Sequence, residues 1–314
     1  MWKLRSWIDI DWLDWGILSR NTCDGAVALL EQNLDKINWV RLSRNPAAIG
    51  LLEQNLDKIN WYWLSRNPAA IRLLERNIDK IEWIMLSDNP SAIHLLEQNL
   101  DRIHWDFLCM NTATAAMGIL ERNLDKIKWN WLSRNTAAIR ILEQNPDKIQ
   151  WDGLSMNPAV MGGFLERNLD KICWYGLSRN PAAIKILEQN PDNINWYELS
   201  RNPGAIHLLE QNLDKVSWNV LSANPAAIPL LERHPDKIGW DILCCNPAVA
   251  AVCLLEHNVD KIDWELLSSN PAIFEYDYEG MKQAKRSLHE ELVAERFHPR
   301  NLSRFAGWGF EVGW

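Results

Sequence analysis

The sequence has none of the features that place a chain in a membrane or on a nucleic acid. It contains no run of about 18 apolar residues, the length of a membrane-spanning helix. Residues 1–5 are followed by acidic residues and not by the apolar core of a signal peptide, so we expect an intracellular protein. There are 33 Lys and Arg against 41 Asp and Glu, whereas duplex nucleic acids require a strongly basic surface. We therefore expect neither a membrane nor a nucleic acid as partner.

Patterns typical of metal or catalytic sites are also lacking. The six cysteines do not have the spacing of a zinc site, and the adjacent pair Cys244 and Cys245 is a poor metal-binding or disulfide unit. We expect reduced, half-buried thiols. The sequence contains no His-Glu-x-x-His, Gly-x-Ser-x-Gly or phosphate-binding-loop pattern. We therefore predict no catalytic, cofactor-binding or metal-binding residues and expect that the protein is not an enzyme.

The chain does contain one motif that is repeated along almost its full length. A Trp three residues before a Leu marks each copy, and successive copies lie 22 to 24 residues apart. These residues are Trp15, Trp39, Trp61, Trp83, Trp105, Trp129, Trp151, Trp174, Trp196, Trp218, Trp240 and Trp264. A fixed period in this range indicates a solenoid, in which each small unit buries its apolar face against its neighbours.

The copy that runs from Asn67 to Ser87 shows how one unit is expected to fold. Asn67 and Pro68 are typical of a helix start, because the Asn side chain accepts a bond from a free amide and Pro lacks an N–H there. The apolar residues that follow lie on one helical face. Asn77 is expected to end this helix in a left-handed conformation, and Asp79 to cap a second short helix. The unit is therefore predicted to be a helix–turn–helix pair.

The predicted fold class is an all-α solenoid of about eleven helix–turn–helix repeats with N-terminal and C-terminal caps. A leucine-rich repeat has the same period, but it needs an apolar residue directly after each Trp, and many of these positions are polar. A tight β-helix would stack like charges about 4.8 Å apart. If each unit advances the stack by one helix diameter, the repeats form a rod or arc on the order of 100 Å long.

The chain is expected to have three parts. Residues 1–20 should form a degenerate capping unit, and residues 21–270 the tandem repeats. Residues 271–314 differ in composition and are expected to form a helical cap over the last repeat or, alternatively, a separate docking element. In the longer units the added residues should extend the turn before the first helix, whereas Pro229 should kink or shorten its helix.

Specificity in a solenoid resides in positions that vary within a constant frame. The two residues after each repeated Trp vary and include many aromatic residues and Met, which are favoured at interaction hot spots. We predict that an interaction face includes Arg41, Tyr62, Trp63, Met85, Phe107, Trp131, Tyr175 and Tyr197.

Two basic rows accompany this face. One row precedes the capping Asn residues and consists of Arg44, Arg66, Arg134, Arg179 and Arg201. The other lies in the first helices and consists of Arg72, His94, Arg140, Lys185 and His207. The alternative interpretation is structural, with the aromatic residues filling gaps between units and the Arg residues before the capping Asn pairing with the recurring Glu.

The run from Leu51 to Ile71 (Leu-Leu-Glu-x-Asn-x-Asp-Lys-Ile-x-Trp-x-x-Leu-Ser-x-Asn-Pro-x-Ala-Ile) resembles the short tandem-repeat proteins of large DNA viruses of amoebae and algae. Residues 288–302 and the pair Trp308 and Gly309 are similar to the closing segment of some of those proteins. The resemblance implies a viral repeat protein, located in the host cytoplasm or virus factory, or in the virion. It carries no functional residues with it, because the family has little assigned biochemistry.

Two functions from different classes follow from these observations. The first is a non-enzymatic scaffold that engages a host or viral protein through the variable positions on one face. The second is a structural component of the virion or virus factory. The oligomeric state does not follow from the sequence.

Overall fold

The computed structural model, which describes residues 2–160 and 162–296, is built almost entirely from short helices. Twelve α-helices begin at the repeated Trp and are called the A helices: Trp15–Leu18, Trp39–Ser43, Trp61–Ser65, Trp83–Ser87, Trp105–Leu108, Trp129–Leu132, Trp151–Ser155, Trp174–Arg179, Trp196–Leu199, Trp218–Leu221, Trp240–Leu243 and Trp264–Ser268. Each A helix, together with the residue directly before it, starts one unit, so the units are numbered 1 to 12. The all-α solenoid prediction is confirmed.

Eleven of the A helices are followed by a second α-helix, called the B helix of that unit. The B helices are Asp24–Glu31, Ile49–Glu53, Ile71–Glu75, Ile93–Glu97, Thr114–Glu121, Ile139–Gln144, Gly162–Glu166, Ile184–Gln189, Ile206–Glu210, Ile228–Arg233 and Val249–Glu256. In the described residues, β-structure is limited to the strands Trp2–Leu4 and Phe274–Tyr276, so both β alternatives are wrong.

Short 3₁₀ helices complete the units. Those before the A helices are Ile10–Trp12, Leu34–Lys36, Leu56–Lys58, Ile78–Lys80, Leu100–Arg102, Leu124–Lys126, Pro146–Lys148, Pro191–Asn193, Pro235–Lys237 and Val259–Lys261. Those that follow the A helices are Pro46–Ala48, Pro68–Ala70, Thr136–Ala138, Pro181–Ala183, Pro203–Ala205, Pro225–Ala227 and Pro271–Ile273.

Side-chain caps begin only some of these helices, and not all at the predicted residues. Asn67 caps its helix as predicted, because its Oδ1 accepts a bond from the amide of Ala69 at 3.0 Å. Asn77 is not left-handed (φ −136°, ψ 52°), and it ends the helix instead by donating from Nδ2 to a carbonyl of the last turn, that of Leu73. Asp79 is not a cap either, since it lies inside a 3₁₀ helix.

The core is a continuous row of aliphatic side chains between the A and B helices. In unit 3, Leu64 of the A helix and Leu74 of the B helix are fully buried, and Ala70 lies between the two helices. The repeated Trp residues are only half-buried and pack on the edge of this core. A basic side chain often covers the outer face of the ring, as where Lys80 Nζ lies 4.8 Å from the ring centroid of Trp61.

Buried Asn and Ser side chains connect each unit to the one before it. Asn67 Nδ2 donates to the carbonyl oxygens of Ser43 and Asn45, both at 3.1 Å. Ser65 Oγ donates to the carbonyl of Trp61 and accepts a bond from the amide of Glu82 in the next unit. We call the twelve buried Asn the ladder Asn: Asn21, Asn45, Asn67, Asn89, Asn111, Asn135, Asn157, Asn180, Asn202, Asn224, Asn246 and Asn270.

The ladder has no free end, because unit 1 packs on unit 12 as any unit packs on its predecessor. Asn21 Nδ2 donates to the carbonyls of Ser268 and Asn270 at 3.2 and 3.1 Å. The amide of Asp14 donates to Ser268 Oγ at 2.8 Å, which repeats the bond between units 1 and 2. The two A helices are also in contact. The twelve units therefore form a closed ring, and the expected open rod or arc is wrong.

A two-stranded ribbon completes the closure where unit 12 has no B helix. Trp2–Leu4 pairs antiparallel with Phe274–Tyr276, and both strands contact the B helix of unit 1. Trp12 also packs on Trp264, with ring centroids 4.6 Å apart. Residues 1–20 were expected to cover an open end. In the structure their described part joins the two ends of the repeat array.

The units are tapered, so one side of each faces the centre of the ring. A helices of neighbouring units contact each other closely, as do the 3₁₀ helices after the ladder Asn, whereas neighbouring B helices are less closely packed. The turn between the A helix and the ladder Asn therefore lies at the inner rim. With helices about 8–10 Å apart, twelve units give a mean ring diameter of about 30–40 Å.

Two expectations about irregular units have different outcomes. In unit 1 the added residues Thr22 and Cys23 form an extended turn before the helix Asp24–Glu31, as predicted. Pro229 does not shorten its helix. The α-helix Ile228–Arg233 starts anew after a 3₁₀ helix, so Pro229 lies in the first turn, where no backbone N–H is needed.

The last described element, the helix Tyr278–Arg296, does not lie over the last repeat as a cap. Leu288 and Leu292, within the segment expected to cover that repeat, are 56% and 60% exposed. The remainder of the expected C-terminal element, residues 297–314, lies outside the described residues. Among the described helices, none is both long and apolar enough to cross a membrane.

Replacing a ladder Asn by Ala should lower the free energy of unfolding by far more than the loss of a few side-chain atoms suggests. Asn67→Ala leaves the carbonyl of Ser43 and the amide of Ala69 without their partner and removes one of the two bonds to the carbonyl of Asn45. We expect the free energy of unfolding to fall by about 2–4 kcal/mol in urea titrations, because each unpaired buried polar group costs about 1–3 kcal/mol. The exposed Asn130→Ala is the control and should change stability by less than about 0.5 kcal/mol. Equal effects of the two substitutions would contradict the role of the ladder.

Two glycines at the second residue of B helices provide a matched test of the closure. A Cβ on Gly25 would lie 2.7 Å from the Phe274 ring and 3.0 Å from Trp2 Cβ, whereas a Cβ on Gly50 would meet no atom within 4 Å. Gly25→Ala should destabilise the protein by about 1–3 kcal/mol through overpacking. Gly50→Ala should stabilise it by about 0.5–1 kcal/mol, since Ala favours helix. If Gly25→Ala also raised the thermal unfolding temperature, Phe274 and Trp2 would not pack on Gly25 as described.

Candidate interaction surfaces

The eight residues of the predicted interaction face occupy two structurally different positions. We call the residue directly after each repeated Trp the first face position, and the residue after that the second face position. Tyr62, Tyr175 and Tyr197 hold first face positions and are exposed. The other five predicted residues hold second face positions: Arg41, Trp63, Met85, Phe107 and Trp131. The eight residues are distributed around the ring, so they do not form one patch.

Residues at the second face position lie between units. Met85 is buried, while Trp63 and Phe107 are half-buried and Trp131 is just over one-third exposed. The side chain of Trp63 lies beneath Arg44 of the preceding unit, with Arg44 Cζ 5.3 Å from the ring centroid. For these residues the structure agrees with the alternative interpretation, in which they fill gaps between units.

Two glycines at the second face position show how tightly this gap is filled. A Cβ on Gly153 would lie 2.9 Å from Arg134 Cγ, and one on Gly176 would lie 2.7 Å from Met156 Cγ. Arg134 and Met156 both precede a ladder Asn of the preceding unit. The second face position of one unit therefore contacts the residue before the ladder Asn of the unit before it.

The first face positions of units 2, 3 and 4 form a contiguous apolar patch. Val40, Tyr62 and Ile84 are 47%, 41% and 44% exposed, and the A helices that carry them are in contact. The Tyr62 ring packs edge-on against Trp63, with centroids 5.2 Å apart. We call Val40, Tyr62 and Ile84 the apolar patch. Neighbouring exposed apolar side chains of this kind are typical of protein-binding surfaces.

Tyr175 and Tyr197 take part in a polar network on the far side of the ring. The hydroxyl of Tyr175 donates to Oε1 of the buried Glu198 at 2.6 Å, and this bond together with the carboxylate charge raises the pKa of Tyr175. Arg201 Nη2 donates to the Tyr197 hydroxyl at 3.2 Å. Both tyrosines are exposed but held by neighbouring polar groups, unlike the side chains of the apolar patch.

The structural interpretation paired the recurring Glu with the Arg residues before the ladder Asn, but in the structure it is the B-helix row that pairs with them. Side chains of the B-helix row pair with the Glu of the preceding unit, as His94 does with Glu75 at 2.8 Å and His207 with Glu188 at 2.7 Å. The Arg residues before the ladder Asn make no such pairs with the recurring Glu among the described residues. They line the inner rim, because the turn that carries them lies there.

The inner rim carries one Arg that the sequence analysis missed. Arg20 precedes the ladder residue Asn21 as its counterparts do in other units, but residues 1–20 were assigned to a cap and not to a unit. Farther along the rim, Arg66 forms a salt bridge of 2.5 Å with Asp88, and burial raises the pKa of Asp88 in spite of this partner.

Arg20 belongs to a cluster of three arginines between units 1 and 2. Arg20, Arg41 and Arg44 line a cavity of about 200 Å³ together with Thr22, Asn45 and Pro46. Within the described part of the chain, no carboxylate lies within salt-bridge distance of any of the three guanidinium groups. The cavity is therefore strongly positive in a chain whose net charge is −8.

A larger cavity of about 610 Å³ lies at the ring closure. Its lining includes Trp2, Cys23, Phe274 and Tyr276. Arg5 and Glu275 on its wall pair with each other, since Arg5 Nη1 lies 3.5 Å from the carboxylate of Glu275, whereas Asp24 on the same wall forms no salt bridge among the described residues. Trp2 and Tyr276 stack on each other with centroids 4.0 Å apart. We interpret this cavity as part of the closure and not as a separate site.

The cysteines are not arranged as a reactive or metal-binding group in the described residues. Cys109 and Cys244 occupy the place of the connecting Ser and are fully buried. Burial raises the pKa of each of these thiols to about 11. Cys245 and Cys253 are exposed. The sulfur of Cys109 still accepts a bond from the amide of the next unit, that of Lys128, at 3.3 Å.

Comparisons with known proteins add no relative to this description: no family model, no curated protein and no solved structure matches the chain.

Thiol labelling tests the placement of the cysteines. A thiol with a pKa of about 11 has a few hundredfold less thiolate at pH 8 than an ordinary thiol. In the native protein at pH 8 we therefore expect a disulfide reagent to modify Cys253 quickly and Cys109 and Cys244 only after unfolding. Mass spectrometry of labelled peptides provides the measurement, and modification of Cys109 at the rate of Cys253 would contradict its burial.

Proposed function

We propose that this protein is a non-enzymatic scaffold that binds another protein through the apolar patch on the face of its ring. The observation that supports the proposal best is the run of Val40, Tyr62 and Ile84 on three adjacent units. A partner that covers these side chains removes apolar surface from water, which is the main source of binding free energy at protein interfaces.

The closed ring suits such a role because it holds the patch in one geometry. Every unit is hydrogen-bonded to two neighbours through buried Asn side chains, so adjacent A helices keep a fixed spacing. A surface that is already rigid loses little conformational entropy when a partner binds. The same argument favours recognition of a folded or extended partner by the patch over a mechanism in which the ring itself changes shape.

The groups with shifted pKa values do not suggest a reaction. Burial raises the pKa of Cys109, Cys244 and Asp88, and these groups lie in different units. The pKa values of Tyr175 and Arg201 are raised by their hydrogen bonds to Glu198 and Tyr197, which hold these side chains on the protein's own groups. Catalysis requires such groups to converge on one substrate position. We therefore propose binding as the function. The resemblance of the repeat to viral tandem-repeat proteins suggests a host or viral protein as the partner, in the cytoplasm or virus factory.

The alternative is a structural component of the virion or virus factory. One feature favours it: the helix Tyr278–Arg296 leaves the ring with Leu288 and Leu292 exposed on one side. Residues four apart on a helix lie on the same face, so these two form an apolar strip suited to joining particles or copies.

Affinity capture with the tagged full chain, from the cells that produce it, tests the proposal. Tyr62→Ser combined with Ile84→Ser should reduce recovery of the partner by about tenfold or more, because hot-spot side chains contribute about 2 kcal/mol or more each. The control combines Asn219→Ser with Asp241→Ser at the same position of units 10 and 11, where both side chains are exposed.

Unfolding temperatures of both variants must match that of the unchanged chain. A partner retained by the patch variant would overturn the proposed surface. Recovery of particle proteins that is insensitive to the patch substitutions would favour the structural alternative.

A further inference from the structure

We infer that the cluster of Arg20, Arg41 and Arg44 binds a phosphate monoester, the group that a phosphorylated side chain of the partner protein presents. The inference rests on the proposed function for its choice of partner. The geometry of the cluster supports the anion site independently of that choice.

The first observation is a concentration of positive charge that forms no salt bridge with a described carboxylate; Asp14 Oδ1 lies near the same Gly16 position as Arg41 Nη1 but does not pair with it. Three guanidinium groups from two adjacent units line one cavity of about 200 Å³, and no carboxylate is part of its lining. Each guanidinium is charged at all physiological pH values, so the three repel one another. The charge of Arg44 does act on the carboxylate of Asp88, but that carboxylate forms its salt bridge with Arg66, which lies in unit 3, outside the cluster. A bound anion would remove this repulsion.

The second observation is a buried donor of Arg41. Its Nη1 atom is inaccessible to solvent and has no hydrogen-bond acceptor among the described residues. It lies close to the preceding unit, 3.9 Å from where a Cβ of Gly16 would be. A buried charged donor without an acceptor is costly, and proteins usually supply one. A ligand oxygen would reach Nη1 only after the guanidinium turns towards the cavity, and that bond would then remove the cost of the unpaired donor.

The third observation is a comparison within the ring: the residues between units 8 and 9 that are equivalent to the cluster between units 1 and 2. There the inner-rim residues are again arginines, Arg179 and Arg201, but the second face position holds Glu198 in place of Arg41. Glu198 is buried and accepts the bond from Tyr175. The same backbone frame thus carries a carboxylate at one place and a third guanidinium at the other, so the frame does not require Arg41.

A phosphate monoester fits these groups better than a carboxylate does. It carries a charge of about −1.5 to −2 at pH 7 and three acceptor oxygens, and planar guanidinium groups pair with it in bidentate fashion. Three guanidinium groups match that charge and number of acceptors. The exposed hydroxyl of Thr22, also in the lining, provides a further donor.

The position of the cavity points to a phosphate attached to a protein. Arg41 directly follows Val40 of the apolar patch in sequence, and Arg44 lies over Trp63, which contacts Tyr62 of the patch. A partner segment on the patch would therefore pass beside the cavity. Recognition of a phosphorylated residue by an Arg cluster next to an apolar surface is a recurrent way to make binding depend on modification.

Titration calorimetry on the full chain tests the anion site. The probes are inorganic phosphate, O-phosphoserine and serine, at constant ionic strength set with chloride. We expect saturable binding of the two phosphate compounds and none of serine. Arg41→Gln and, separately, Arg44→Gln should weaken phosphate binding by about tenfold or more, since bonds between charged groups contribute about 1.5–3 kcal/mol. Arg44 is exposed, so the second variant avoids any folding defect of the first.

Arg179→Gln is the matched control. It removes one inner-rim charge between units 8 and 9, beside Glu198. Phosphate affinity should change by less than about twofold, because an exposed charge so far from the cluster is screened by salt. Equal losses in the control and the cluster variants, or no saturable binding of phosphate, would overturn the site. Adenosine monophosphate binding more than about tenfold tighter than phosphoserine would overturn the assignment to a protein-bound phosphate.

A second experiment separates this inference from the proposed function. The partner captured by the unchanged chain is treated with phosphatase and tested again for binding. We expect binding to be lost on treatment and equally lost with Arg41→Gln. Binding that survives both changes would overturn the phosphate inference and leave the scaffold function intact. Phosphate binding without capture of any partner would overturn the scaffold function and leave the anion site intact.

Discussion

The buried ladder of Asn side chains is the interaction on which the rest of this structure depends. Each carboxamide accepts a bond from an amide two residues later in its own unit and, in seven units, starts a 3₁₀ helix there. It also donates to the backbone of the preceding unit, where it fixes the spacing. One side chain thus couples local folding to stacking. Because the groups are buried, leaving any of them unpaired is costly, and this cost explains why the same residue occurs in all twelve units.

Closure of the ring changes what the chain termini have to do. In an open solenoid the first and last units expose apolar surface and need polar caps. Here units 1 and 12 cover each other, and the strands Trp2–Leu4 and Phe274–Tyr276 fill the place of the missing B helix. Because Gly25 has no side chain, the Phe274 ring packs closely against the helix where units 1 and 12 meet. The termini therefore act as a joint between units, and the terminal helix that follows is left exposed.

A frame that is the same in every unit makes differences between units chemically meaningful. The second face position holds Arg41 in one unit, Glu198 in another and Gly153 in a third, all on the same backbone. The inner-rim residue opposite this position also contributes, since Arg134 fills the space that Gly153 leaves. Charge and shape at the rim are thus set by pairs of residues from adjacent units, and this is why neither row of residues alone identifies a site.

The sequence by itself determined the period, the helical class, the role of Asn67 as a cap and the exposure of residues such as Tyr62, because these depend on contacts within one unit. It misassigned Asn77 and Pro229, where the short 3₁₀ segments between helices shift the helix starts. Only the tertiary structure decided the ring, since closure requires a rotation of about 30° per unit that adds up over twelve units. It also brought Arg20 beside Arg41. These two residues belong to different units, and their meeting follows from stacking geometry that no single repeat encodes.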